Sequence, residues 1–144
     1  MTKEQEIIVG EQIKQLAMAI CSALKGSWSS IVFTVAYRKG ETSARLTDVF
    51  YFREDEYNDY INAYSEEGKS LLNMQSLRNI ANAYRKLHEV CGEFGSQWTQ
   101  YTICIDRKGH FKSFFDYSHQ SGDIDPFDRK NMEDWKKRFL CGGY

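Results

Sequence analysis

A single proline, Pro126, stands in 144 residues, so no proline-rich linker divides the chain. No apolar run approaches the ~20 residues of a membrane-spanning helix, and a membrane partner is not expected. Net charge is only -1, which leaves no overall positive field to hold a phosphate backbone. Direct binding to nucleic acid is therefore not expected. Cys21, Cys91, Cys104 and Cys141 are scattered, with no CxxC pair and no Cys or His partner at zinc spacing. Met1 to Glu6 is charged, and the apolar residues that follow are interrupted by Glu11, Gln12, Lys14 and Gln15, unlike an export signal. The expectation is four reduced thiols in a cytoplasmic protein. GxSxG, GxGxxG and GxxxxGK[ST] are all absent, so neither a nucleophile elbow nor a phosphate cradle is indicated. No cofactor, no metal and no catalytic residue is expected, and the chain does not read as an enzyme.

Aromatic residues, by contrast, are plentiful. Nine Phe, nine Tyr and three Trp supply large apolar surfaces, enough to build one domain over residues 1–144. Thr2 with Glu4, Gln5 and Glu6 reads as a helix start, and Val9, Ile13, Leu16, Ala17, Ile20, Cys21 and Leu24 recur at helical spacing up to Gly26. Alternation from Ile31 to Tyr37 predicts a strand, Lys39-Gly40 a turn, and Ala44 to Phe52 a returning strand. Asp48 shares the parity of Leu46 and Phe50, a conflict that a bulge or an exposed end would resolve. Leu77, Ile80, Ala81, Tyr84, Leu87, Cys91 and Phe94 mark a second helix ending near Gly92 or Gly95, with His88 at its boundary. Tyr101, Ile103 and Ile105, the turn Asp106 to Gly109, and Phe111 to Tyr117 predict a second hairpin. Asp125 reads as the cap of a last helix starting at Pro126, with Met132, Trp135 and Phe139 on its buried face and Gly142-Gly143 at its end. The order is helix, hairpin, helix, hairpin, helix. It predicts an α+β, two-layer domain: an antiparallel sheet from two hairpins with three helices on one face.

Two acidic stretches carry the candidate chemistry. Glu54, Asp55, Glu56, Asp59, Glu66 and Glu67 face no Lys or Arg in their own stretch, and Tyr57, Tyr60 and Tyr64 are interleaved. Asp116, Asp123, Asp125 and Asp128, with Tyr117 and His119 among them, lie between Lys112 and Arg129 without a basic residue. Each is either a solvated surface or a contact for a basic protein, which carboxylates steer and tyrosines anchor. Lys136, Lys137 and Arg138 provide part of the balancing positive charge. Asp123-x-Asp125-x-x-Asp128 is spaced partly like a calcium loop, yet Phe127 takes a ligand position and Asp128 the place that needs Gly. Asp106-x-Lys108 beside a strand suggests a metal-dependent nuclease, but a hairpin turn points both side chains at solvent rather than at a shared ion.

The run Trp98-Thr99 through the strand to Lys108-Gly109-His110-Phe111, then Phe114-Phe115-Asp116-Tyr117, resembles the C-terminal half of YezG-like immunity proteins. Asp123-Ile124-Asp125-Pro126-Phe127-Asp128-Arg129, Trp135-Lys136 and Phe139-Leu140 are similar to that family's closing helix, and Trp28 to its Trp before the first strand. The resemblance spans residues 28–52 and 98–140. It implies a small cytosolic antitoxin that neutralises a cognate toxin domain, in many cases a nuclease, delivered by a polymorphic-toxin or contact-dependent growth inhibition system. The expected toxin contacts are Glu54, Asp55, Glu56, Tyr57, Asp59, Tyr60, Asp116, Tyr117, Asp123, Asp125 and Asp128. The alternative is a protein-interaction or regulatory module unrelated to toxins. Oligomeric state stays open.

Overall fold

The computed structural model describes residues 1–38, 45–55, 57–118 and 125–141. Helix α1 (Lys3–Ser22) starts where Thr2 and Gln5 cap each other reciprocally: the Gln5 N–H donates to the Thr2 hydroxyl, and the Thr2 N–H to the Gln5 side chain. Its expected stripe is the one buried, through Val9, Leu16, Ala17 and Ile20, with Ile13 and Cys21 partly covered. Gly26, at φ +81°, then turns the chain back. Strand β1 (Trp28–Tyr37) pairs with β2 (Leu46–Glu54), and a two-residue β3 (Ile61–Asn62) follows. The expected Lys39-Gly40 turn and the start of the returning strand at Ala44 fall outside the described residues. A short α2 (Glu66–Lys69), the long α3 (Ser76–Glu93), the hairpin β4 (Gln100–Asp106) and β5 (Phe111–Asp116), and α4 (Arg129–Phe139) complete the order. All paired strands are antiparallel, in the order β3-β2-β1-β4-β5. Among the described residues, no helix is long and apolar enough to cross a membrane.

The α+β class and the antiparallel sheet built from two hairpins are those read from the sequence. The structure adds a layer. Ile31, Phe33 and Val35 pack with Phe50, Phe52, Tyr101, Ile103 and Ile105 beneath α1 and α3. The other parity, Val32 and Cys104 with Tyr51 and Phe114, is covered by Trp135 and Phe139 of α4. A strand buried from Ile31 to Tyr37 without interruption needs cover on both faces, and α4 supplies the second.

Three local expectations are revised. Asp48 sits in a regular ladder opposite Val35, and the only irregularity between β1 and β2 lies at Trp28/Ser30. Neither a bulge nor an exposed end accommodates Asp48. The Tyr64 hydroxyl donates to its carboxylate, while burial pushes its pKa up against the opposing hydrogen bonds of Tyr64 and Tyr84. His88 is buried rather than at a boundary. Its Nε2 lies 3.0 Å from the Trp98 carbonyl, which can only accept, so Nε2 carries the proton and Nδ1 accepts from the Tyr37 hydroxyl at 3.2 Å. Burial lowers its pKa. The Trp98 carbonyl opposes that shift.

The cap of α4 is Asp128, not Asp125. Asp128 accepts from the Asn131 N–H at 2.9 Å. Asp125 instead accepts from the Phe127 N–H at 2.8 Å, closing a turn that delays the helix by three residues. The described helix ends at a Leu140 cap, and Gly142-Gly143 lies outside the described residues.

Candidate protein-binding surfaces

Strand register separates the two acidic stretches. Glu54 pairs with Trp28 at the start of β1, whereas Asp116 pairs with Gln100, which itself pairs with Ala36 near the end of β1. The first stretch thus occupies the β2–β3 side at one end of the sheet. The second begins at the far end of the opposite edge strand, β5. The structure does not bring the expected contacts together on one surface. Glu56 and Asp123 lie outside the described residues.

At the β2–β3 corner some of these side chains are anchored and others presented. The Tyr60 hydroxyl meets Ser30 Oγ at 2.7 Å, and the Arg53 guanidinium lies over the Tyr60 ring at 5.6 Å. Asp55 is ion-paired to Arg107 of the β4–β5 turn, which ties the corner to the second hairpin. Tyr57, by contrast, is 67% exposed, and Asp59 is exposed beside it. A groove of about 450 Å³ opens here, walled by Glu54, Asp59 and Glu67 with Tyr57, Tyr60 and Asn58. Neither Lys nor Arg is among the described residues that line it. Glu67 was not among the expected contacts. It enters because Ser65 caps α2 through the Gly68 N–H and sets the helix against β3. There is no room for a side chain at Gly68, where an added Cβ would stand 2.2 Å from the Asn62 carbonyl oxygen.

The described carboxylates of the second stretch are bonded to their own backbone. Asp116 Oδ1 accepts from the Ser118 N–H at 2.8 Å and its hydroxyl at 2.6 Å. Asp125 holds the turn and Asp128 the cap described above. Tyr117 is exposed and stacks its ring on Phe115. Beside this stretch a second groove, of about 680 Å³, lies between β5 and α4. Its Gln100, Asn131, Asp134 and Arg138 were not among the expected contacts, because strand and helix bring together residues more than thirty positions apart.

The sequence-suggested nuclease pair is occupied by its own turn. Asp106 Oδ1 accepts the Lys108 and His110 N–H groups at 2.9 Å each, and Oδ2 lies 3.3 Å from the His110 ring. Desolvation pushes the pKa of this carboxyl up, but the His110 and Lys108 amides and the His110 ring together outweigh it and hold the group below the usual range. No group of three or more His, Cys, Asp or Glu able to hold a metal occurs among the described residues.

The chain matches the family described as Immunity protein YezG-like over residues 11–140, from α1 through α4. No curated protein matches it.

Proposed function

The chain belongs to the YezG-like immunity protein family, and from that premise we propose that it neutralises a cognate toxin domain by docking at the β2–β3 corner. The observation that carries this reading is the groove of Glu54, Asp59 and Glu67, with no Lys or Arg among its described lining residues and with the exposed ring of Tyr57 beside it. Three carboxylates in one concavity raise the local negative potential and speed the encounter with a cationic partner. A nuclease fits that description, since it must be basic around its substrate groove to hold phosphates. Tyrosine adds contact area at little rotamer cost. Anchoring of Tyr60 by Ser30, and of Asp55 by Arg107, pre-orders the corner and lowers the entropy lost on binding. The protein acts by occupying the toxin, in the cytoplasm, without catalysis, cofactor or nucleic acid contact.

Co-expression with a candidate cognate toxin domain tests the reading. Co-purification and rescued growth are expected, with the triple variant Glu54→Lys, Asp59→Lys, Glu67→Lys losing both while keeping its fold. Failure of the unaltered protein to bind or protect sinks the proposal. Full protection by the triple variant moves the contact elsewhere.

A further inference from the structure

The two edges of the sheet are finished differently. At one, β3 is two residues long and α2 follows close on it, with the Asn62 carbonyl accepting from both the N–H and the hydroxyl of Ser65. At the other stands β5, six residues in unbroken register with β4. Neither proline nor a bulge interrupts it, and Lys112 is its one basic residue. Edges that avoid pairing are usually shorter, kinked or more heavily charged.

The ladder fixes which backbone groups of β5 are left over. The Asp106 N–H donates to the His110 carbonyl at 2.9 Å, one step beyond the Ile105–Phe111 pair. Bonding alternates along an antiparallel pair, so Lys112, Phe114 and Asp116 turn their backbone groups to β4. Phe111, Ser113 and Phe115 turn theirs outward. Those outward groups have no partner among the described residues. The side chains of these three residues share a face with Ile105, Ile103 and Tyr101. Ser113 Oγ lies 2.6 Å from the Tyr101 hydroxyl, Phe115 packs on the Tyr101 ring, and Phe111 is 40% exposed.

We propose that β5 pairs antiparallel with β5 of a second copy, about a two-fold axis through Ser113. Only that axis matches all three outward residues with one another: Ser113 with Ser113, and Phe111 with Phe115 twice. Three donors and three acceptors on each copy then close six backbone hydrogen bonds. The axis falls on the smallest side chain of β5, where two identical residues must face each other. On either side of it, the exposed Phe111 ring gains Phe115 of the other copy as a cross-strand aromatic neighbour. A second copy fits this edge better than the toxin does. The proposed toxin surface lies at the β3 edge, with β2, β1 and β4 in between, so the dimer leaves both corners open.

Sedimentation equilibrium of the full chain from about 1 µM to about 1 mM, with amide hydrogen exchange at both extremes, tests this without any toxin. A concentration-dependent doubling of mass is expected. The amides of Phe111, Ser113 and Phe115 should exchange about tenfold or more slowly in the dimer, while those of Lys112 and Phe114 are protected throughout. Ser113→Pro removes an outward N–H that the monomer does not use, and should raise the dissociation constant about tenfold or more. It also loses the bond to Tyr101, so Phe111→Lys, at an exposed side chain, is the second variant and should act in the same direction. A monomer at every concentration overturns the proposal. So does a dimer whose Phe111, Ser113 and Phe115 amides stay fast, or one that a folded variant leaves unchanged. Slowing of those amides by bound toxin, with the free chain monomeric, makes a toxin strand the occupant and overturns it equally.

Discussion

The two acidic stretches have nearly the same composition and opposite fates. From Glu54 to Glu67 the carboxylates stand on a strand end, a loop and a short helix, and three of them wall a groove without bonding to their own amides. From Asp116 to Asp128 each described carboxylate accepts an N–H two or three residues ahead. An aspartate placed before a turn or a helix start serves its own backbone first, because those amides have no other partner. Glutamate, one methylene longer, closes such turns less readily and is left for other contacts. A count of negative charges treats the stretches alike, whereas a count of nearby unpaired amides separates them.

The contrast can be broken at several points. The largest expected effect is Trp135→Ala, which removes a buried indole, its bond to Thr102 and its contacts with Tyr51 and Phe139, costing about 3–5 kcal/mol in urea unfolding. A near-neutral result would place α4 off the sheet. Next, the Glu54, Asp59, Glu67 charge reversal should weaken toxin binding on the order of a hundredfold, more at low salt, with the melting temperature little changed. Affinity that ignores salt would argue against electrostatic capture at this corner.

Asp128→Ala should cost about 1 kcal/mol as a lost helix cap, visible in thermal unfolding, and leave toxin affinity alone. A loss of affinity there would return the second stretch to the interface. The smallest effects are those of pH. His88 has a lowered pKa in the folded state, so its contribution is present above the ordinary His value of about 6.5 and is lost as pH falls below it. Asp48 has a raised pKa, so its contribution is present below the ordinary Asp value of about 3.9 and is lost as pH rises through the folded value. Asp48→Asn keeps an acceptor for Tyr64 and should therefore be neutral or stabilising at pH 7 in denaturant titration. Clear destabilisation there would mean that the ionised Asp48 is the form the fold prefers.

Much of the scaffold was legible. The α1 stripe, the hairpin at Gly109 (φ +85°) and the stripe of α3 follow from 3.6- and two-residue periodicities that local packing leaves intact. The layer under α4 was harder to see. Its signal is present in β1, where Ile31 to Tyr37 has no polar parity apart from Thr34, but an alternating pattern by itself assigns only one buried face. His88 looked peripheral because its partners, Tyr37 and the Trp98 carbonyl, come from other elements. Asp48 looked misplaced for the same reason, since Tyr64 lies sixteen residues away. Among site residues, the acids of the β2–β3 corner could be named from charge alone. Gln100, Asn131 and Asp134 could not, because nothing within a few residues of any of them marks it.

The sequence by itself determined the three long helices, the two hairpins, the α+β class and the resemblance to immunity proteins, but not the short β3 and α2, because each of the former rests on contacts or spacings within one element or one turn. Only the tertiary structure decided which acids bond to their own backbone, that α4 lies across the second face, and that β4, β5 and α4 frame one groove. Those outcomes depend on where unpaired donors and acceptors meet in space, and strand register, not composition, sets that meeting.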